Sequence, residues 1–219
     1  MGKTAAIICN GLFPKKEYPR YLVASADYII CCDGGTSAYL KASPKIFGQT
    51  REPDVIIGDL DSIQPKLKKQ FAEKIVHVSE QDNNDMTKAF TYVLDHLPDV
   101  DTVHFIAATG LREDHTIGNV SLLMEYMRRF DLSQMNVDMV SDFSTIFAVS
   151  DSISLEVGIG RRVSIFSPDN SLKIKSKGLV WPTDDVVFDN WWKATLNKAA
   201  EDTISLEFNH PSMVLLMMD

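Results

Sequence analysis

The hydrophobic period of this 219-residue chain changes near residue 142, and that change constrains its fold more than any single motif. Before it, short β-branched runs at 5–9, 28–32, 55–57, 75–78, 103–107 and 137–140 alternate with helix-patterned stretches at 19–26, 37–42, 65–73, 85–96 and 116–129. Strands that are apolar on both faces and separated by helices predict a parallel sheet covered on both sides. After residue 142 the helices stop. Ile153, Leu155 and Val157 alternate with polar residues, as do Leu172 and Ile174, then Ile204, Leu206 and Phe208. Period-two alternation at short spacing predicts an antiparallel sandwich or barrel. The expected fold is therefore an α/β parallel-sheet N-terminal domain, 1–141, followed by an all-β sandwich or barrel C-terminal domain, 142–219.

Composition excludes several classes. Apolar residues make up 45% of the chain and charged residues 24%, so it is neither disordered nor fibrous. A net charge of −8 argues against a nucleic-acid partner, which would need a basic face. No apolar run approaches the ~18 residues of a membrane span. The five-residue apolar run near the start is too short for a signal-peptide core. Gly2-Lys3-Thr4 resembles the end of a P-loop but has no strand or glycine before it. Three cysteines, Cys9, Cys31 and Cys32, are an odd and sparse set, which reads as a reducing cytoplasm. Cys31 and Cys32 lie in an apolar run and read as core residues rather than a redox pair.

The polar residues are informative by position. Expected strand ends run into Asn10-Gly11, Asp33-Gly34-Gly35, Gly58-Asp59-Leu60-Asp61-Ser62, Glu80-Gln81-Asp82-Asn83-Asn84-Asp85, and Thr109-Gly110-Leu111-Arg112-Glu113-Asp114-His115. In a parallel sheet these ends share one edge, where ligands of open α/β folds bind. So many carboxylates would repel one another unless a cation held them. Few hard oxygen donors with room for water suit Mg2+ better than Ca2+. Each segment also has a plain structural account. Asp61-Ser62 serves equally as a turn and helix cap, Asp85 as a helix first-turn residue with Lys88 as its partner, and Gly34-Gly35 as a tight turn. His77, His96 and His104 lack metal-ligand spacing, and Lys173, Lys175 and Lys177 read as a solvated strand face. Trp181, Trp191 and Trp192 fall within twelve residues, either as sandwich core or as an aromatic wall for a planar ligand.

The ordered set Cys32-Asp33-Gly34-Gly35, Gly58-Asp59-Leu60-Asp61-Ser62, Gln81-Asp82-Asn83-Asn84-Asp85 with Thr87-Lys88-Ala89, Gly110-Leu111-Arg112-Glu113-Asp114-His115 with Gly118-Asn119, and Lys177-Gly178-Leu179-Val180-Trp181-Pro182 resembles the thiamin pyrophosphokinase family. The resemblance covers nearly the whole chain. It implies transfer of pyrophosphate from ATP, the co-substrate, to the hydroxyethyl group of thiamin, giving thiamin diphosphate and AMP. It also implies a catalytic domain that binds ATP and Mg2+, a thiamin-binding domain, and a cytoplasmic homodimer with an intersubunit active site. Carried over by resemblance, Asp59, Asp61 and Asp85 hold the metal, Arg112 and Asp114 join them as catalytic residues, and Gln81 lines the same site. Asp33 lies on the nucleotide side, Gly34, Gly35, Lys88, Asn119 and Asn197 are further substrate-binding positions, and Trp181 stacks on thiamin. Asp114 and Asp85 are both candidates for the base.

The chain departs from the family at Thr36, where Asn is common, and at Ala107 and Leu111, which replace glycines. Thr195-Leu196-Asn197 is a degraded Ser-Asn motif. Two other readings remain at this point. Asp59-Leu60-Asp61 also suits a haloacid-dehalogenase-like phosphatase with a covalent aspartate, and a non-catalytic thiamin or nucleotide sensor is the other.

Overall fold

The computed structural model describes residues 2–219. Strands β1 (Lys3–Ile8), β2 (Tyr28–Cys32), β3 (Val55–Gly58), β4 (Ile75–His77), β5 (Val100–Ile106) and β6 (Asn136–Val140) are all parallel, in the order β4-β3-β2-β1-β5-β6. Helices α1 (Glu17–Ser25), α2 (Gly35–Phe47), α3 (Pro65–Gln70), α4 (Asp85–His96) and α5 (Glu113–Arg129) make the crossovers. The sheet is covered on both faces, as its unbroken apolar strands require. Ala6, Ile8, Ile29 and Cys31 pack with Leu22, Val23 and Tyr39 of α1 and α2. Ile7 and Phe105, paired in register, point the other way, where Phe90 of α4 meets Phe105 edge-on at 5.6 Å. Strand order reverses at β1, between β2 and β5, and that switch point opens a crevice at the carboxyl ends of the strands.

Only α4 keeps the bounds of its sequence pattern; α1 starts two residues earlier and α3 ends three residues sooner, and two further differences have a visible cause. The pattern predicts 37–42, but α2 spans Gly35–Phe47 with Pro44 inside it, and ends at Gly48 with φ +74°. Burial of Tyr39 and Ser43 outweighs the ladder bond that Pro44 removes. Helix α5 begins at Glu113 rather than 116, because the Thr116 N–H donates to the Arg112 carbonyl at 3.0 Å and closes an earlier turn.

The chain divides into two compact units. One comprises the chain through Leu122 with Leu132–Asp142, and the other comprises Leu123–Asp131 and Phe143–Asp219. The second unit is antiparallel. Strands β7 (Thr145–Val149), β9 (Arg162–Phe166), β11 (Ala194–Lys198) and β13 (Val214–Met218) pair in the order β11-β9-β13-β7. Strands β8 (Ile153–Glu156), β10 (Ile174–Lys177) and β12 (Thr203–Phe208) pair as β10-β12-β8. Val163, Ile165, Val214 and Leu216 of the first sheet interdigitate with Ile174, Ile204, Leu206 and Phe208 of the second, which makes a sandwich. No helix among the described residues is long and apolar enough to cross a membrane.

Asp169 fastens the second unit's loops. The Ser171 hydroxyl and N–H donate to its carboxylate at 2.6 and 2.9 Å, and the Ser212 hydroxyl donates at 2.9 Å. These bonds hold its pKa at about 2, below the ordinary 3.8. A depressed carboxyl pKa contributes stability that is full above the unfolded value and is lost as pH falls through the folded one. The native protein should therefore unfold at a higher temperature than Asp169→Asn above about pH 4, with the two midpoints converging near pH 2. Parallel midpoint-versus-pH curves would refute the role given to Asp169.

Candidate active site

The acidic edge starts from a turn that tolerates few side chains. Gly58 ends β3 with φ +152°, and a Cβ there would lie 2.9 Å from the Asp85 carboxyl carbon and 3.0 Å from the Asp33 Cβ. Asp33 follows β2 with φ +34° and is 2% exposed. Its carboxylate accepts the N–H groups of Ser62 at 2.9 Å and Ile63 at 2.8 Å, which ties the end of β2 to the loop after β3. Within that loop Leu60 turns through φ +65° and buries its side chain, so Asp59 and Asp61 on either side both reach the cleft. One carboxylate oxygen from each of Asp33, Asp59 and Asp61 lies within 4.8 Å of the others.

The next loop brings α4 to the same edge. Asn84 caps the helix by accepting the Thr87 N–H at 3.0 Å, which places Asp85 in the first turn. Lys88, one turn on, is almost fully buried with its Nζ 3.3 Å from Asp85 Oδ1, as a buried ammonium requires. Gln81 donates to Asp59 at 3.1 Å. The electrostatics differ among these carboxyls. Burial pushes the Asp33 and Asp85 pKa values up, whereas the bond from Gln81 draws that of Asp59 down.

The loop after β5 closes the cleft. Asn119 of α5 is buried, accepts Asn84 Nδ2 at 2.8 Å and donates to the Ala108 carbonyl at 2.7 Å. It thereby joins the cap of α4 to the third loop. Arg112 and Asp114 form an exposed two-pronged pair, Nε to Oδ1 at 3.1 Å and Nη2 to Oδ2 at 2.5 Å. The pairing raises the arginine pKa and lowers that of the carboxyl.

These loops enclose an open cleft of about 700 Å³, within the range of small-molecule sites. It brings together Asp59, Asp61, Gln81, Asp85, Lys88, Arg112 and Asn119. Asp33 lies behind the acidic loop, and Asp114 beside Arg112. Gly34 and Gly35, expected on the substrate side, are not among the lining residues. A Cβ on Gly35 would meet the Cys9 carbonyl oxygen at 2.5 Å, so close packing on the backbone after β1 demands that glycine, whereas one on Gly34 would meet only the side chain of Asn10, at 2.6 Å from Nδ2. Asn10, Asn84 and Thr109 line or support the cleft and were legible only as strand-end polar residues; Asn84 also carried a helix-cap signal, directly before a helical pattern. The donor chemistry fits a divalent cation, since hard carboxylate oxygens converge with part of their surface open to water.

Trp181 and Asn197 lie in the second unit. Trp181 is 59% exposed, Trp191 and Trp192 are also exposed, and Phe188 fills the sandwich core in their stead. The core alternative for these tryptophans is thereby removed.

Two family models match the chain. That for the thiamin pyrophosphokinase catalytic domain matches residues 19–135, and that for the thiamin pyrophosphokinase substrate-binding domain matches residues 145–215. Thiamine pyrophosphokinase 1 of Oryza sativa subsp. japonica is 25% identical over 225 residues, covering 92% of this chain and 82% of the relative. The crystal structure of a thiamin pyrophosphokinase family protein from Enterococcus faecalis superposes with a TM-score of 0.78 at 18% identity, covering 99% of this chain and 98% of the other. That of thiamine pyrophosphokinase from Bacillus subtilis gives 0.76 at 18% identity, covering 99% of each chain. At such identity the likeness is one of fold.

The Asp33 tie makes a prediction about stability. Asp33→Ala should cost about 2–4 kcal/mol, because two backbone donors lose a charged acceptor. Asp33→Asn keeps one acceptor oxygen and a side chain that tolerates positive φ, and should lose roughly half as much. Denaturant unfolding measures both, and equal losses would place the cost outside the two hydrogen bonds.

Proposed function

The chain belongs to the thiamin pyrophosphokinase family, and on that premise we propose that it transfers a pyrophosphoryl group from ATP to the hydroxyethyl oxygen of thiamin, giving thiamin diphosphate and AMP. The observation that carries this reading is one cleft lined by Asp59, Asp61 and Asp85 together with Lys88 and Arg112. Carboxylates alone would repel a triphosphate, and cations alone would not need the carboxylates. Asp59 and Asp61 would hold Mg2+, with Asp85 as a third ligand and Asp33 bracing the loop behind them. Bound there, the ion would neutralise charge on the phosphate oxygens and on the departing AMP.

The thiamin hydroxyl oxygen attacks the β-phosphorus in line. The bond from that phosphorus to the α–β bridging oxygen breaks, and its electron pair leaves with AMP. Lys88 would hold the phosphates as a fixed point charge. Arg112 would exchange Asp114 for a pair of phosphate oxygens, because an exposed ion pair contributes only about 0–1 kcal/mol. Asp114, released from Arg112, or Asp85 would accept the hydroxyl proton.

In this reading residues 1–141 form the ATP- and Mg2+-binding catalytic domain and residues 142–219 the thiamin-binding domain. Trp181 offers an exposed indole to a planar cation. Val180, Val187, Trp191, Trp192 and Leu196 of the same unit are also exposed, and apolar side chains of this kind suit a surface that a second copy of the chain would cover. The enzyme would then be a homodimer in which this surface completes the partner's site. Three free, buried cysteines suit a cytoplasmic setting. The matching families favour neither the phosphatase nor the sensor reading.

With ATP and thiamin as substrates, AMP should be the nucleotide product, and ADP or free phosphate would overturn the assignment. Asp59→Asn or Asp61→Asn should lower turnover at least about a hundredfold with little change in unfolding midpoint, since charge neutralisation dominates this chemistry. Near-normal Mg2+-dependent rates in both variants would remove the metal assignment.

Trp181→Ala should raise the thiamin KM about three- to thirtyfold while leaving the ATP KM unchanged. If sites are shared between subunits, mixing Trp181→Ala with Asp59→Asn should restore about a quarter of native activity at low thiamin, because half of the dimers are mixed and each has one intact site. Mixtures no more active than their parts, or a monomer by light scattering, would sink the shared site.

A further inference from the structure

The family resemblance puts Asn197 among the substrate contacts, yet its amide is engaged within the second unit. Oδ1 accepts the Trp181 N–H at 3.2 Å and the Lys198 N–H at 2.8 Å, while Nδ2 donates to the Trp181 carbonyl at 2.6 Å. The residue is 5% exposed. Both lone pairs of its oxygen are used, and little of it can reach a ligand.

The backbone explains how this arises. Leu179 faces Ala199 across an antiparallel bridge, with the Val180 N–H donating to the Lys198 carbonyl and the Ala200 N–H to the Gly178 carbonyl, each at 2.8 Å. One residue further along, the side chain of Asn197 takes over from its backbone. A bulge interrupts β11 between Ala194 and Asn197, and within it Leu196 turns through φ +59°. The primary amide then offers Trp181 the donor and acceptor that a neighbouring strand would have offered. Pro182 follows and has no N–H with which to continue a ladder.

We propose that Asn197 is a positioning residue for thiamin, one that fixes the Trp181 backbone and hence the direction of the indole without touching the ligand. This rests on the reading of Trp181 as the thiamin seat. With its backbone clamped on both polar atoms, tryptophan keeps only two side-chain torsions, and stacking depends on their aim.

The test is a double-mutant cycle on Asn197→Asp and Trp181→Ala, with KM read separately for thiamin and ATP. Asn197→Asp preserves shape but faces the Trp181 carbonyl with an acceptor instead of a donor. It should raise the thiamin KM about tenfold, leave the ATP KM unchanged, and add nothing further in the Trp181→Ala background. If the carboxylate lowers the unfolding midpoint, Asn197→Ser carries the same comparison. Additive effects would mean that Asn197 contacts thiamin itself, and an unchanged thiamin KM would mean that the clamp is idle; either overturns the proposal while leaving the seat intact. If Trp181→Ala alone leaves the thiamin KM unchanged, the seat fails and the proposal falls with it.

Discussion

The carboxylate of Asp33 accepts two backbone N–H groups from the loop after β3, and the shape of the acidic edge follows from that tie. Several negative charges at the ends of adjacent strands push one another toward solvent. Asp33 converts one of them into an acceptor for the loop that carries two others. Charge-assisted hydrogen bonds are about twice as strong as neutral ones, which suits them to hold a loop against repulsion. The side-chainless Gly58 then leaves room for Asp85 to approach from α4. Asn84 and Asn119 link that helix to the loop after β5, so three separate strand ends are braced by side chain to backbone or amide to amide.

Burial divides the work among the carboxyls of this edge. Asp33 and Asp85 are held where protonation is easier than in water, and Asp59 where it is harder. Lys88 is the compensating charge inside the same wall, close enough to Asp85 to offset part of its desolvation. Arg112 differs in kind. Its partner is exposed, so its guanidinium can change partners at small cost.

The architecture was legible in the sequence because it rests on periodicity. Continuous apolar runs between helical patterns specify a parallel sheet, and alternation specifies the sandwich, whatever the details of packing. The acidic edge was legible for the related reason that strand ends of a parallel sheet share a side. Individual contacts were less so. Gly34-Gly35 read equally as a tight turn or as substrate-side positions, because a glycine required by its backbone neighbours, as Gly35 is, and one required by a ligand look the same in a sequence. The bonds of Asn197 to Trp181 were not legible, because a partner sixteen residues away depends on a bulge, and nothing local to Thr195-Leu196-Asn197 announces one. The extension of α2 through Pro44 likewise reflects tertiary burial overriding local propensity.

Among the described residues, four that are not glycine sit at positive φ: Asp33, Leu60, Ala107 and Leu196. The first three stand at or just after the ends of β2, β3 and β5, and the fourth adjoins the clamp on Trp181. Each such conformation stores about 1–3 kcal/mol that the surrounding packing must outweigh. Loops made this way are shaped when the chain folds, not when a ligand arrives. Adaptation to heat and adaptation of catalysis therefore pull against each other at these four sites, since a lineage that relaxed them would gain thermal robustness and surrender part of the fixed geometry on which rapid turnover depends.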